Sequence, residues 1–515
     1  MAANPTTARR QTTEVRFGDL PKALPAFPIA LTFAWIVGLF SASTAPLHDL
    51  WRPLIAGVAI ATFLAAAAVL VGRGDRRLIL VASCAWLLAL GAWFIAAAIA
   101  IVGAWRFLVD RSRAMAGRPA VREPAAAQVT RVANALGWAG VLVAIVTLAS
   151  SGALSNSGEP RADPLPEASD APSIYLVLLD GYPATDTLER DFAFDNGPFL
   201  EELEARGFDV PDRSRSNYNR TLLTLASMLN LTYIHEIPGV RTPSDSFATQ
   251  TRQLTASING SAVPKLLREG GYRIVSVRST YGEATLSSAD EVRFGGALTL
   301  FEEQLLRYTT LGRWIVGVAP ELIAEQHRAG VRDSLDDLAS LPTEMSNGPS
   351  FVLAHVFSPH APLLFNRDGS MRPVQDCYPE TCGLTSPQAD RLGLTKAEYG
   401  DGLAEQILFL NAELLRVIDA IAAEDPDAVV VLFSDHGARF EGEIDNEHFE
   451  TFLAARTPGH DSLLDDDMAT INVLPVILNG YFDTELPLRE YQAWWGTDLA
   501  PLELTPADEA EAGGR

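Results

Sequence analysis

Cysteine is scarce in this 515-residue chain. Only Cys84, Cys377 and Cys382 are present, and none lies between positions 85 and 376. The scarcity argues against a metal site built from several thiolates. Cys84 falls in an apolar run, while Cys377 and Cys382 bracket CYPETC in a polar loop. That close pair reads either as a disulfide, which would place the loop in an oxidising compartment, or as two free thiols; the disulfide is the expectation. An excess of basic charge is also missing. The formal net charge is −24, which argues against broad nucleic-acid binding, because that needs a positive surface. No internal repeat is present.

The charge is unevenly spread. Residues 1–150 carry 14 Lys+Arg and 6 Asp+Glu, whereas residues 151–515 carry 26 and 58. The first part is apolar with Arg-rich connections, and the second is an acidic body long enough for a large core. Stretches 24–44, 54–72 and 132–150 are apolar, each about 20 residues long and so sufficient to cross a hydrocarbon core of ~30 Å. No signal-peptidase-like site follows the first, so it is read as retained. Stretch 78–105 has 28 residues without a charge, long for one span and short for two.

Charge bias separates the options. With four crossings and the acidic body outside, the basic residues divide seven to seven. If 78–105 instead dips in and returns, turning near Gly91-Ala92-Trp93, the split becomes 13 to 1 in favour of the cytoplasm. The expectation is an odd number of crossings, three to five. Residues 1–23 then form a tail and 24–150 a transmembrane helical region of a bacterial inner (plasma) membrane protein, with its acidic body extracytoplasmic. The apolar runs lack the intramembrane charges that mark transport pathways. Residues 151–172, rich in Ser, Pro, Ala and acid, read as a linker.

From residue 173 the pattern changes. SIYLVLLD (173–180), YRIVSVRS (272–279), SFVLAHVFS (350–358) and AVVVLFSD (428–435) are apolar runs suited to strands buried on both faces. Helical spacing separates them, most clearly over 399–422 with Leu403, Ile407, Leu410, Leu414, Ile418 and Ile421. This alternation predicts an α/β domain over 173–495, with a mostly parallel sheet sandwiched by helices. Residues 496–515 read as a disordered tail.

Polar groups cluster where these runs end. The first ends at Asp180, the third runs into HVFSPHAP with His355 and His360, and the fourth ends at Asp435-His436. Each has an ordinary explanation, such as an Asp-Gly turn or a helix cap. Yet ligands in open α/β sheets bind beyond the carboxyl ends of strands, where distant residues converge. Two carboxylates and an imidazole form an oxygen/nitrogen set suited to Zn²⁺ or Mn²⁺. In RSRSNYNRTLLTLASMLN (213–230), Leu222, Leu225, Met228 and Leu229 mark the buried face of a helix beginning near Thr221. A hydroxyl there serves either as a cap or as a nucleophile at the anion-favouring helix end. Arg213, Arg215 and Arg220 are available to neutralise a phosphate or are solvated surface groups.

Together LLDGY, GFDVPDRSRSNYNRTLLTLASMLNLTYI, HVFSPHAPLLF, AEQILFLNAELL and VVLFSDHG, spread over about residues 173–490, resemble the membrane-anchored, sulfatase-like branch of the alkaline phosphatase superfamily. That branch includes phosphoethanolamine transferases and lipoteichoic acid synthases. The resemblance implies one divalent metal or two, Zn or Mn, with Asp180, Thr221, Asp435 and His436 as ligands and Thr221 as nucleophile. It implies that His360 binds phosphate and that His448, in DNEHFE, is a further catalytic histidine; Arg215 and Arg220 complete the substrate-binding set. His460 in TPGHDS is a weaker match. The chain departs from true sulfatases in lacking a Cys/Ser-x-Pro-x-Arg motif, which turns the expectation from sulfate to phosphate esters. The implied activity is that of a membrane-bound phosphotransferase or phosphodiesterase. It would move a phospho-head group between a phospholipid or other phosphate ester and an envelope glycan. The alternatives are a tethered sulfatase-like or phosphatase hydrolase, and a non-enzymatic binding protein on a decayed fold.

Overall fold

The computed structural model describes residues 25–508 apart from 72–75, 117–124, 152–170, 241–245, 345–347, 375–393, 438–445, 461 and 498. Cys377, Cys382 and nearly all of the expected linker and N-terminal tail therefore lie outside the described residues. The chain divides into two compact units.

The first unit holds helices α1 (Phe27–Ala42), α2 (His48–Val71), α3 (Arg76–Ala89), α4 (Trp93–Met115) and α5 (Ala125–Ser150), together with Tyr308–Gly312. Its core includes Phe27, Leu31, Leu87, Leu90, Ile99 and Val129. His48–Val71 and Ala126–Ser150 are long and apolar enough to cross a membrane, while α1 and α3 are apolar but shorter. The uncharged stretch 78–105 is divided between α3 and α4. The break falls at Gly91, whose φ of 83° suits a residue without Cβ.

The second unit contains Ala42–Asp49 and the chain from Ser151 onward, except Tyr308–Gly312. Its strands are β1 (Ile174–Leu179), β2 (Phe208–Asp209), β3 (Arg213–Arg215), β4 (Arg273–Val277), β5 (Glu291–Arg293), β6 (Ser350–Val356), β7 (Val429–Phe433), β8 (Leu453–Arg456), β9 (Asp467–Ala469), β10 (Trp494–Trp495) and β11 (Thr505–Pro506). The main sheet has seven strands in the order β2-β8-β7-β1-β6-β4-β5. The five from β7 to β5 are parallel, and β8 runs antiparallel to both β7 and β2.

Helices cover both faces of the sheet, and two more contribute to neither of its cores. In chain order they are α6 (Thr185–Phe192), α7 (Gly197–Glu204), α8 (Thr221–Asn230), α9 (Phe247–Asn259), α10 (Ala262–Glu269), α11 (Leu300–Tyr308), α12 (Thr310–Val318), α13 (Pro320–Glu344), α14 (Lys396–Glu424) and α15 (Thr470–Phe482). The two outside the cores are α11 and α12. Every residue of β1 is buried, and its side chains alternate between two cores. Leu176 and Leu178 meet α8, α9, α10 and α15 on one face. Tyr175, Val177 and Leu179 meet α6, α7, α13 and α14 on the other. Burying such side chains stabilises by roughly 1.5–3 kcal/mol each. The apolar run without polar alternation follows from this two-sided covering. Helix α14 begins with a capping box in which Thr395 accepts from Glu398 N while the Glu398 carboxylate accepts from Thr395 N.

Of the segment expected as a disordered tail, residues 496, 497 and 499–508 are among the described ones. Trp494–Trp495 pairs with Thr505–Pro506, and Leu502, 1 % exposed, donates its N–H to Gln250 Oε1. One apolar anchor and a short ladder order residues whose composition is otherwise that of a solvated end.

Candidate active site

Strands β6 and β7 flank β1 in parallel, so their carboxyl ends open side by side. Asp180 follows β1, Asp435-His436 follow β7, and the Ser358–Ala361 loop follows β6. Asp180 N donates to Val356 O, and His360 N donates to Asp180 O at 2.9 Å, which fixes the loop against the end of β1. Gly181 has φ 68°, and a Cβ there would lie 3.1 Å from His436 Cε1. Only glycine fits that close approach without strain.

Asp180, Asp435 and His436 are each 1 % exposed or less. His436 Nε2 lies 3.5 Å from Asp180 Oδ1 and 3.5 Å from Asp435 Oδ2. Its Nδ1 donates to Gly437 O at 2.9 Å, leaving the Nε2 lone pair toward the carboxylates. Asp435 Oδ1 accepts from Gly181 N at 3.1 Å. Asp180 Oδ1, Asp435 Oδ2 and His436 Nε2 are buried without a hydrogen-bond partner among the described residues. His360 joins this group, with one donor atom each from Asp180, His360 and His436 lying within 4.8 Å of one another. Burial alone would push the Asp180 carboxyl up. The neighbouring charge of His360, the hydrogen bond from His355 and the close approach of His436 hold it well below the usual carboxylate range.

Thr221 is the first residue of α8. It shares a cavity of about 380 Å³ with Asp180, Arg220 and His360. Arg220 at the N-cap supplies no side-chain cap. Thr224, one turn on, donates to Asp435 O at 2.8 Å and ties α8 to the end of β7. Tyr218 is fully buried, its hydroxyl accepting from Ile234 N. The other walls of the cavity are largely apolar and include Leu222, Phe247, Leu254, Phe301 and Leu499.

The remaining expected residues separate. Arg220 lines the cavity and donates to Gly496 O at 2.9 Å. Arg215 is ion-paired with Asp467 at 2.6 Å, stacks on Tyr491 and does not line the cavity. His448 is buried with its ring against Trp495, and its carbonyl accepts from Gly437 N; it lies outside the Asp180–His360–His436 group. His460 packs on Tyr481.

Two histidines given no role from sequence also belong here. His355 Nε2 donates to Asp180 Oδ2 at 2.9 Å, and its Nδ1 meets Ser279 Oγ at 2.9 Å. An imidazole inside the otherwise apolar run SFVLAHV was the available signal. His327, from α13, packs on Phe357; burial, aided by the charge of His360 and opposed by Asp180, lowers its pKa to about 4. No sequence pattern marked it.

No protein-family model matches the sequence, and no curated protein matches it. Similar solved structures include the C-terminal periplasmic domain of EcEptC from Escherichia coli in complex with Zn, at 12 % identity and TM-score 0.43, covering 69 % of this chain and 100 % of that one. The soluble domain of lipooligosaccharide phosphoethanolamine transferase A from Neisseria meningitidis is similar at 10 % identity and TM-score 0.39, covering 63 % and 91 %. A putative sulfatase from Bacteroides thetaiotaomicron is similar at 12 % identity and TM-score 0.41, covering 64 % and 78 %.

Proposed function

We propose that this protein is a membrane-bound, metal-dependent phosphotransferase or phosphodiesterase acting through Thr221. The observation that supports it most is the convergence of three buried, unpartnered lone-pair atoms, Asp180 Oδ1, Asp435 Oδ2 and His436 Nε2. Two buried carboxylates on either side of one imidazole are costly to bury, and a divalent cation would offset their charge. Asp180, Asp435 and His436, with Thr221 beside them, would hold Zn²⁺ or Mn²⁺. When bound, such an ion lowers the pKa of a neighbouring hydroxyl and offsets charge on phosphoryl oxygens.

The chain's own groups do the rest. Thr221 releases its hydroxyl proton to solvent, its Oγ attacks phosphorus, a Thr–O–P bond forms, and the P–O bond to the leaving alcohol breaks. The leaving alcohol takes up a proton, a role proposed for His448 from the family resemblance, since His448 is not among the residues lining the cavity. His360 and Arg220 bind phosphoryl oxygens, and the positive end of α8 favours the anion. An acceptor hydroxyl, of water or of an envelope glycan, then attacks the same phosphorus and frees Thr221. The apolar cavity walls favour a phosphate ester with an apolar substituent, such as a phospholipid.

Topology supports a membrane-embedded enzyme. Ala42–Asp49, from the last residue of α1 into the first turn of α2, belongs to the second unit. The α3–α4 turn carries Trp93, whose Nε1 donates to Thr310 Oγ1 at 3.0 Å. We take five crossings, one for each of α1 to α5, within the odd number that the charge bias favours. The basic residues then divide as they do for the hairpin.

The reading is tested with full-length Thr221→Ala on bis(p-nitrophenyl) phosphate and on phospholipid vesicles. Turnover is expected to fall to background while the unfolding temperature moves by no more than about 4 °C. Substantial residual turnover would place the nucleophile elsewhere, and activity in apo protein would remove the metal from the account.

A further inference from the structure

Ala42–Asp49 makes a built contact with the rest of the second unit. Arg278 Nη2 donates to Asp49 Oδ1 at 2.7 Å, with both side chains nearly sealed from solvent. Thr44 Oγ1 donates to Glu283 Oε1, Arg252 Nη2 donates to Ser43 O, and His48 Nδ1 meets Ser287 Oγ at 3.2 Å. The seat is shaped for the segment: a Cβ on Gly282 would lie 2.4 Å from Asp49 Oδ2 and 3.1 Å from Pro46 Cδ. A buried ion pair gives little net stability because both partners lose hydration, so its use here is to fix register.

The segment also reaches the chemistry. Thr44, Ala45 and Glu283 line the same cavity as Asp180, Thr221 and His360. We infer that Ala42–Asp49 is a substrate-binding wall of the active-site cavity, holding the apolar substituent of a phosphate diester against Phe247, Leu254 and Phe301. Thr44 and Glu283 are its polar contacts with the bound ester, and Asp49 and Arg278 are positioning residues that latch the wall in place. The inference rests on the phosphodiester reading of the site. It implies that an acidic body separated from the first two helices has an open-sided cavity. Burial raises the Glu283 carboxyl pKa, with Asp49 adding to the rise, and the Thr44 hydroxyl and Arg278 opposing it. The carboxyl thus sits poised to change its hydrogen bonding when the cavity fills.

Full-length Ala45→Cys protein in detergent micelles tests the wall without requiring turnover. Alkylation at residue 45 is followed on its own peptide by mass spectrometry, with didecyl phosphate or dimethyl phosphate present. Saturating didecyl phosphate should slow alkylation at least about tenfold by occupancy, and dimethyl phosphate should not. Leu499→Cys, on an exposed rim of the cavity, is the comparator. Protection at 499 but not at 45 overturns the inference, as does protection at neither. If protection at 45 stands while the unmodified protein turns over no phosphodiester, the function reading falls and the wall remains. For the latch, Asp49→Asn should raise KM for the long-chain diester about tenfold with kcat changed less than about threefold. An equal fall in kcat and kcat/KM would contradict a positioning role.

Discussion

His355 and Asp180 divide the work of one carboxylate. His355 Nε2 occupies Asp180 Oδ2 at 2.9 Å, so Asp180 Oδ1 is turned toward His436 Nε2, 3.5 Å away. Ser279 holds the far side of the His355 ring. Such outer partners orient a ligand and tune its basicity.

Removing that support should therefore cost metal affinity before it costs the fold. His355→Gln is expected to weaken Zn²⁺ binding by about 10- to 100-fold, measured by competition with a chelator. Ser279→Ala should follow in the same direction with a smaller effect. Unchanged affinity in both variants would mean that the Asp180 rotamer is set by burial alone.

Glu303 makes stability depend on pH. Burial raises its carboxyl pKa to about 7, and the charge of Arg307, 3.3 Å away, only partly opposes this. Below the usual value of 4.5 the group is protonated both folded and unfolded, and it costs nothing. As pH rises toward 7 the unfolded chain ionises first, so stability falls across that window. Glu303→Gln should match the parent below pH 4.5 and gain progressively up to pH 7, reaching about 3 kcal/mol at most. Urea unfolding at pH 4, 6 and 8 reads this, and a gap that does not widen with pH would contradict it.

Five crossings predict that reporter fusions after residue 74 and after residue 120 both report the cytoplasm. A cysteine replacing Ala92 should be reached by an impermeant thiol reagent from outside. Fusions on opposite sides, or Ala92→Cys labelled only from the cytoplasm, would undo this arrangement.

Sequence patterning was sufficient for much of the frame. The four apolar runs of the acidic body became β1, β4, β6 and β7, and Asp180, Asp435 and His436 met because the ends of parallel strands adjoin. Thr221 was legible as the start of α8 from the helical phase of Leu222, Leu225 and Met228. What was not legible depended on partners far along the chain. Arg215 looked available for phosphate until Asp467, brought alongside by the β3–β9 pairing, claimed it. The short strands β2 and β8 carry no run long enough to announce an antiparallel edge. Nothing local in 42–49 foretold that Asp49 would find Arg278, or that Gly282 would be the seat. His355 carried a faint signal, as a polar residue in a strand that otherwise allows none.

The most direct test of the account is to look for the covalent link at Thr221. Full-length protein loaded with Zn²⁺ is mixed with bacterial phospholipids carrying radiolabelled phosphate, quenched in acid within the first turnover, and digested. Label is expected on the peptide containing Thr221, acid-stable and phosphorus-bearing, and absent from Thr221→Ala or from protein stripped of metal. Label on another residue, or full turnover with no labelled peptide at any time, would contradict it.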